Sequence, residues 1–298
     1  ALHNLFKFSS DNLRLDYLVL TEQLTPVLKM QALLYLQQFY TSLLMFRNLD
    51  GSFMENTRNP QKSLWLTANV VKFLRHGRRY LKIYEEIFLE ALAYISSMQG
   101  SDGRFECIDC YSEKSSDTFT AFIASILDEF SQIYPKYQSV VRKSIDFVEN
   151  NYNYSDIYSL AVCTNFLFQT DSDSEHKYVL FKKFASQAII TSEHIYWQVS
   201  ESNITQTDVL ISAYGLLIFN QIPELYGEAF KIYSWIISQS TKLKYQSIDS
   251  SIICLEALSK FASRFINITT ILEVKHESQK LLVRNTTRLI QQTFEVFY

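Results

Sequence analysis

Glycine and proline are scarce in this chain, six of one and four of the other among 298 residues. That is too little turn punctuation for a many-stranded sheet or a long linker. Cysteine is scarcer than a disulfide scaffold of this length would demand, with four residues in all. Positive charge is not in excess either, since 28 Lys and Arg face 31 Asp and Glu for a formal charge of −3. Neither a nucleic-acid partner nor an anionic membrane surface is expected from that balance. No apolar run reaches the ~18 residues of a spanning helix, so no membrane insertion is expected. The chain opens at Ala1 without an initiator Met or a visible signal peptide, which suggests a mature or excised fragment.

What is abundant is apolar and aromatic surface, 47% and 15% of residues, enough for one large core or two domains. One phrase is used twice: Asp50-Gly51-Ser52-Phe53 returns as Asp102-Gly103-Arg104-Phe105. Asp-Gly favours a tight turn, because Gly accepts positive φ and Asp bonds its own backbone. The Phe that follows can pin the turn onto a helical layer. Each copy precedes an apolar helical run, over 63–74 and 118–130. A repeated turn of this kind marks a helical hairpin used more than once.

Helical patterns are expected over 27–46, 63–74, 85–98, 118–133, 140–150, 157–168, 178–190, 208–219, 226–238 and 249–265. Thr25 is placed to cap the first of these, with Pro26 at its first helical position. The helices starting near 63, 118, 157, 208 and 249 are the more apolar, while those near 27, 85, 140, 178 and 226 carry more charge. Helices apolar nearly all round belong between two other layers. The alternation therefore predicts an all-α fold, an α/α toroid with an inner and an outer ring. The tail differs: 266–273, 280–284 and 289–298 are rich in β-branched and aromatic residues. We expect a helical domain over 1–262 and a β segment over 263–298 that forms part of a larger β-domain.

Chemistry-bearing residues are few. Cys107-Ile108-Asp109-Cys110 has redox or half-zinc spacing, but no second CxxC and no nearby His complete a site. A small disulfide between Cys107 and Cys110 is the better expectation, with no metal and no cofactor. Cys163 and Cys254 sit in apolar runs and read as buried thiols, a remote pairing remaining open. His76, His176, His194 and His276 share no ligand spacing, and the run from Arg75 to Arg79 reads as a solvated helix end. Sequons at Asn153, Asn203, Asn267 and Asn285 are compatible with secretion and glycosylation.

Two resemblances follow. Met98-Gln99-Gly100-Ser101-Asp102-Gly103-Arg104-Phe105 is similar to the Q-x-x-D-G-x-W phrase of protein prenyltransferase β subunits and terpenoid cyclases, which also build α/α toroids. That alternative implies zinc held by Asp, Cys and His, for which Asp109-Cys110 are the candidates. A cyclase would instead need an acidic D-x-D-D cluster, approached at Asp171-Ser172-Asp173-Ser174-Glu175.

The stronger resemblance rests on Asp16-Tyr17-Leu18, Gln23-Leu24-Thr25-Pro26, Asn48-Leu49-Asp50-Gly51-Ser52-Phe53 and Ser63-Leu64-Trp65-Leu66-Thr67-Ala68-Asn69-Val70-Val71-Lys72-Phe73. Ser212-Ala213-Tyr214-Gly215-Leu216-Leu217 and Ala257-Leu258 continue it in order. These resemble the thioester domain of the alpha-macroglobulin and complement family, and the Trp65 stretch matches its S-T-W-L-T-A-x-V-x-K-x-F helix. The resemblance implies an α/α toroid whose chain re-enters a flanking CUB-like β-domain of a large extracellular protein.

It also implies a thioester between the Cys and Gln of a G-C-G-E-Q motif. In the register set by Asp16-Tyr17-Leu18, His3 falls on that Gln and the Cys lies ahead of Ala1. Imidazole offers a thiol no acyl carbon. In many members a His after the second Asp-Gly turn takes the acyl group from the thioester, yet 106–117 contains none. The resemblance therefore implies a degenerate thioester of the macroglobulin-complement-related type and a domain that is no enzyme. Its implied partners are an extracellular protein receptor, a microbial surface or a neighbouring cell-surface protein, besides other domains of the same large protein.

Overall fold

The computed structural model describes residues 1–20, 23–57, 61–106, 115–151, 156–170, 175–200, 203–240, 248–266, 271–276 and 279–284. Eleven α-helices are found among them: α1 Leu2–Leu20, α2 Pro26–Leu44, α3 Leu64–Gly77, α4 Glu85–Ser97, α5 Ser116–Ser131 and α6 Gln138–Asn151, then α7 Ile157–Gln169, α8 His176–Ser186, α9 Gln206–Phe219, α10 Tyr226–Ser240 and α11 Ile248–Ile266. Short strands β1 (Phe53–Met54) and β2 (Lys62–Ser63) pair antiparallel ahead of α3.

The odd-numbered helices form an inner ring. α1 packs on α3, α3 on α5, α5 on α7, α7 on α9 and α9 on α11, and α11 returns to α1 and closes the circle. Each of α2, α4, α6, α8 and α10 lies outside its inner neighbour. The burial follows from the residues. In α3 every residue from Leu66 to Leu74 is buried, as is every residue of α9 from Ile211 to Phe219, as an inner layer requires. The outer helix α6 buries Val141, Ser144, Phe147 and Val148, one stripe at spacings of three and four. Thr25 caps α2 as expected, its hydroxyl accepting from Leu28 N–H at 3.3 Å with Pro26 at the first position. The α/α toroid read from the sequence is thus the observed fold.

The repeated turns do what their residues suggest. Gly51 and Gly103 have φ of 83° and 90°, a left-handed backbone that glycine adopts freely. Asp50 and Asp102 accept from the N–H two residues on, each at 3.1 Å. Each glycine also rests on the next outer helix: a Cβ would come within 2.4 Å of Glu90 in α4 or 2.2 Å of Lys143 in α6. The fully buried Phe53 and Phe105 then donate their N–H to inner-helix hydroxyls, Thr67 at 2.9 Å and Thr120 at 2.8 Å. A third copy lacks the Asp-Gly pair: Trp197 donates its N–H to Ser212 Oγ of α9 at 3.2 Å.

Three features differ from the sequence reading. First, α1 was not expected as a helix, and it supplies the sixth inner member. Its buried face mixes Leu5, Phe8, Leu13 and Leu15 with Ser9 and Asn12. Those two return hydrogen bonds to their own helix, Ser9 to Phe6 O and Asn12 to Phe8 O, each at 2.9 Å. Second, the helix expected over 178–190 stops at Ser186. The indole of Trp197 bonds the last-turn carbonyl of Phe184 at 2.9 Å and stacks on its ring. Ile189–Ile190 then become β3, paired antiparallel with β4 (Ile195–Tyr196). Third, α11 continues through Ile266, and a hairpin of β5 (Ile271–His276) and β6 (Gln279–Arg284) follows it. The strand expected over 289–298 lies outside the described residues.

Candidate functional site

The inner helices run in one direction, so the ring has two chemically distinct ends. At the first, the Ala1 ammonium donates to Glu55 O at 3.2 Å, just ahead of α3. At the far end of α1, Asp16 accepts from Tyr80 OH at 2.6 Å and pairs with Arg79 at 3.2 Å, just past the end of α3. Burial alone would raise the Asp16 carboxyl, but His76, Tyr80 and Arg79 bring it below its ordinary value. Burial and that carboxylate push the Tyr80 hydroxyl well up.

His3 lies on the first turn of α1, exposed. Farther round the ring, the starts of α5 and α7 share a hydroxyl chain: Thr118 donates to Ser159 at 2.6 Å, and Ser159 donates to Asp156. Asn203 is exposed ahead of α9, whose cap Thr205 forms a capping box with Asp208. His3 and Asn203 thus stand at inner helices that are not neighbours. Cys107, Cys110, Asn153, Asn267 and Asn285 lie outside the described residues, as do Asp109, Asp171 and Asp173. Cys163 and Cys254 are buried thiols not joined in a disulfide, and burial pushes the Cys163 thiol up.

The run from Arg75 to Arg79 does more than end a helix in water. Arg75 bonds the Glu129 carbonyl and lies over the Phe130 ring at 5.2 Å, while Arg78 lies over Phe88 at 5.2 Å. These cations tie α3 to α5 and α4 through aromatic faces.

Sequence reasoning did not find the polar centre of the ring. Trp65, Phe122, Tyr158, Leu210, Tyr214 and Ile252 converge on the axis and leave a gap of only about 20 Å³. Beyond them, towards the C-terminal ends of the inner helices, a cavity of about 330 Å³ opens. Its deepest charges form a triad: Glu256 is held by Lys72 at 2.7 Å and by Lys260 at 2.7 Å, one ammonium on each oxygen. Burial would raise the Glu256 carboxyl, yet Lys260 and Lys72 hold it far below the usual carboxylate range. Asn165, Gln169, Asn220, Gln221 and Arg264 complete the polar wall. The signal available beforehand was Lys72 within the apolar run 70–74 and Glu256 within the apolar run 252–258.

No group of three or more His, Cys, Asp and Glu able to hold a metal occurs among the described residues. None of the described helices is long and apolar enough to cross a membrane. An isoprenoid substrate would ask for a deep apolar chamber, whereas this axis is filled by aromatics and its open end is charged.

Comparison with known proteins agrees with the fold. The family model described as A-macroglobulin TED domain matches residues 2–261. Ovostatin of Gallus gallus is 24% identical over 319 aligned residues, which take in 97% of this chain and 22% of that protein. The chain therefore spans less than a quarter of the length of the curated relative it matches.

Proposed function

Because the chain belongs to the A-macroglobulin TED domain family, we propose that it is a non-enzymatic domain of a secreted, complement-like protein, without a working thioester. It acts by non-covalent binding in innate immune recognition or extracellular adhesion. One observation carries this reading: an imidazole, His3, stands exposed on α1 where the acyl-donating Gln is expected. No Gln precedes Gln23 and no Cys precedes Cys107, so residues 1–22 hold neither half of the bond. A thioester acylates because thiolate leaves readily; imidazole in place of carboxamide removes the acyl group itself.

The toroid takes in α11 and so runs to Ile266, four residues past the 262 expected, and the chain after it, including β5 and β6, is a piece of a CUB-like β-domain. The exposed Asn203, together with Asn153, Asn267 and Asn285, carries glycans, and Cys107 and Cys110 close a small disulfide. The partners are a protein receptor, a microbial surface or a neighbouring cell-surface protein, alongside the other domains of the same polypeptide.

Labelled methylamine tests this directly. The full-length protein is incubated with it and digested, and any adduct is located by mass spectrometry. We expect no uptake in this region, with binding of the proteolysed protein to cells or microbes that survives denaturing-free salt washes but not detergent. Uptake at any residue of this region would overturn the reading and make the domain an acylating one.

A further inference from the structure

We propose that the cavity at the C-terminal end of the inner ring binds an acidic monosaccharide, a sugar ring bearing one carboxylate. The cavity is cationic on balance. The wall carries Lys72, Lys260 and Arg264 against the single carboxylate of Glu256. Glu129, which also faces Lys260, already has Arg75 at 3.5 Å. An ammonium has three N–H donors, and Lys260 gives one to Glu256. Its side chain is nonetheless 48% exposed, because it reaches into the open cavity. Arg264 gives one of its five N–H groups to Tyr226 and lies over that ring at 5.4 Å. An anion entering here meets two cations with donors to spare.

An open acceptor separates a sugar acid from a bare oxyanion. Asn220 is 5% exposed, yet its Oδ1 has no hydrogen-bond partner among the described residues. A buried acceptor left open costs about 1–3 kcal/mol, and a half-turn of this carboxamide at the cavity wall exchanges its oxygen and nitrogen and turns the acceptor towards a donor there. Sulfate has no proton to give, whereas a sugar hydroxyl does. Asn165, Gln169 and Gln221 stand beside it, and carboxamides both donate and accept as vicinal hydroxyls do. An α-amino acid would also bring a donor, but its ammonium would be repelled by the same cations. Phe122 and Tyr214 supply aromatic surface for the ring face. At about 330 Å³ the space is at the small end of ligand pockets, right for one sugar and too small for a lipid.

The test is calorimetry and saturation-transfer NMR on the full-length protein with four probes: D-glucuronate, N-acetylneuraminate, D-glucose and inorganic sulfate. At least one sugar acid should bind in the millimolar range, tenfold or more tighter than glucose. Lys260→Gln and Arg264→Gln should each weaken that binding about tenfold, and Asn220→Leu should weaken it without affecting sulfate. Both cation variants lie at the cavity mouth, and unchanged thermal melts check that they fold. Equal binding of glucose, binding of sulfate at the same site as tightly as either acid, or no binding by either acid would each overturn the proposal. So would cation variants that fold normally and bind within twofold of the parent. Methylamine uptake reads the other end of the ring, so this proposal and the thioester-free reading can fail separately.

Discussion

Glu256→Gln should destabilise the ring far more than loss of a surface ion pair, and the reason lies in what it leaves behind. Lys72 and Glu256 side chains are only 10% and 4% exposed, with 2.7 Å between their charged atoms. With the carboxylate gone, the Lys72 ammonium remains in the core with at best a neutral amide beside it. Removing one member of a buried pair typically costs about 3–5 kcal/mol. For a helical ring of this size about 1 kcal/mol moves the melting temperature by ~2–4 °C, so a fall of roughly 10 °C is expected. Lys260 adds little to the loss, since its exposed stem can turn to water. Lys72→Met combined with Glu256→Leu should recover most of the deficit, because the pair's attraction is offset by its own desolvation.

The pH dependence has a definite sign. The folded Glu256 carboxyl lies below its unfolded value of ~4.3, so its contribution is fully present above that pH and lost as pH falls below it. The gap between parent and Glu256→Gln should therefore be widest at neutral pH and shrink below pH ~4. Circular dichroism through urea and heat, on both singles and the double, measures all of this. A single variant within about 1 kcal/mol of the parent would refute the reasoning, as would a double whose loss equals the sum of the singles.

Three further outcomes follow from the turns. Gly103→Ala should cost more than the ~1–2 kcal/mol of a left-handed alanine, because its Cβ would lie 2.2 Å from Lys143 O and α6 must retreat; urea unfolding checks it. Thr120→Val keeps the shape but orphans the Phe105 N–H, for an expected loss of about 1–3 kcal/mol, and Thr67→Val should behave alike at Phe53. Burial opposes ionisation of Asp50, but Lys62 and Ser52 together outweigh it and hold its carboxyl down at about 2. Its contribution is thus present above ~3.9 and lost between there and about pH 2. NMR titration should show that midpoint and see it rise in Lys62→Ala.

Most of the ring was legible because its signals are local. Asp-Gly turns, the Thr25-Pro26 cap and apolar helices flanked by more charged ones each declare themselves within a dozen residues. The first helix did not, because its core face holds Ser9 and Asn12, polar residues whose hydrogen bonds to Phe6 and Phe8 carbonyls become visible only in three dimensions. The end of α8 was misjudged because what stops it is Trp197, a residue beyond the next hairpin that bonds back to Phe184. The third aromatic anchor was hidden for a similar reason: Trp197 uses the same N–H to hydroxyl bond as Phe53 and Phe105 without an Asp-Gly turn before it. The charged centre was the least legible. Lys72 and Glu256 are 184 positions apart, and only closure of the circle brings them together.

That closure has a mechanical consequence. α1 and α11 lie side by side and point the same way, so the start of α1 and the end of α11 emerge at opposite rims. Tension between those two points would pull the pair along their common axis in opposite directions. Their interface is then loaded in shear, and every turn of contact must yield together. An antiparallel hairpin such as α1 and α2, gripped at its two open ends, would instead peel one turn at a time. The joint that makes the circle is therefore also its strongest link along the line of the chain, and a pull transmitted through the domain meets resistance there first.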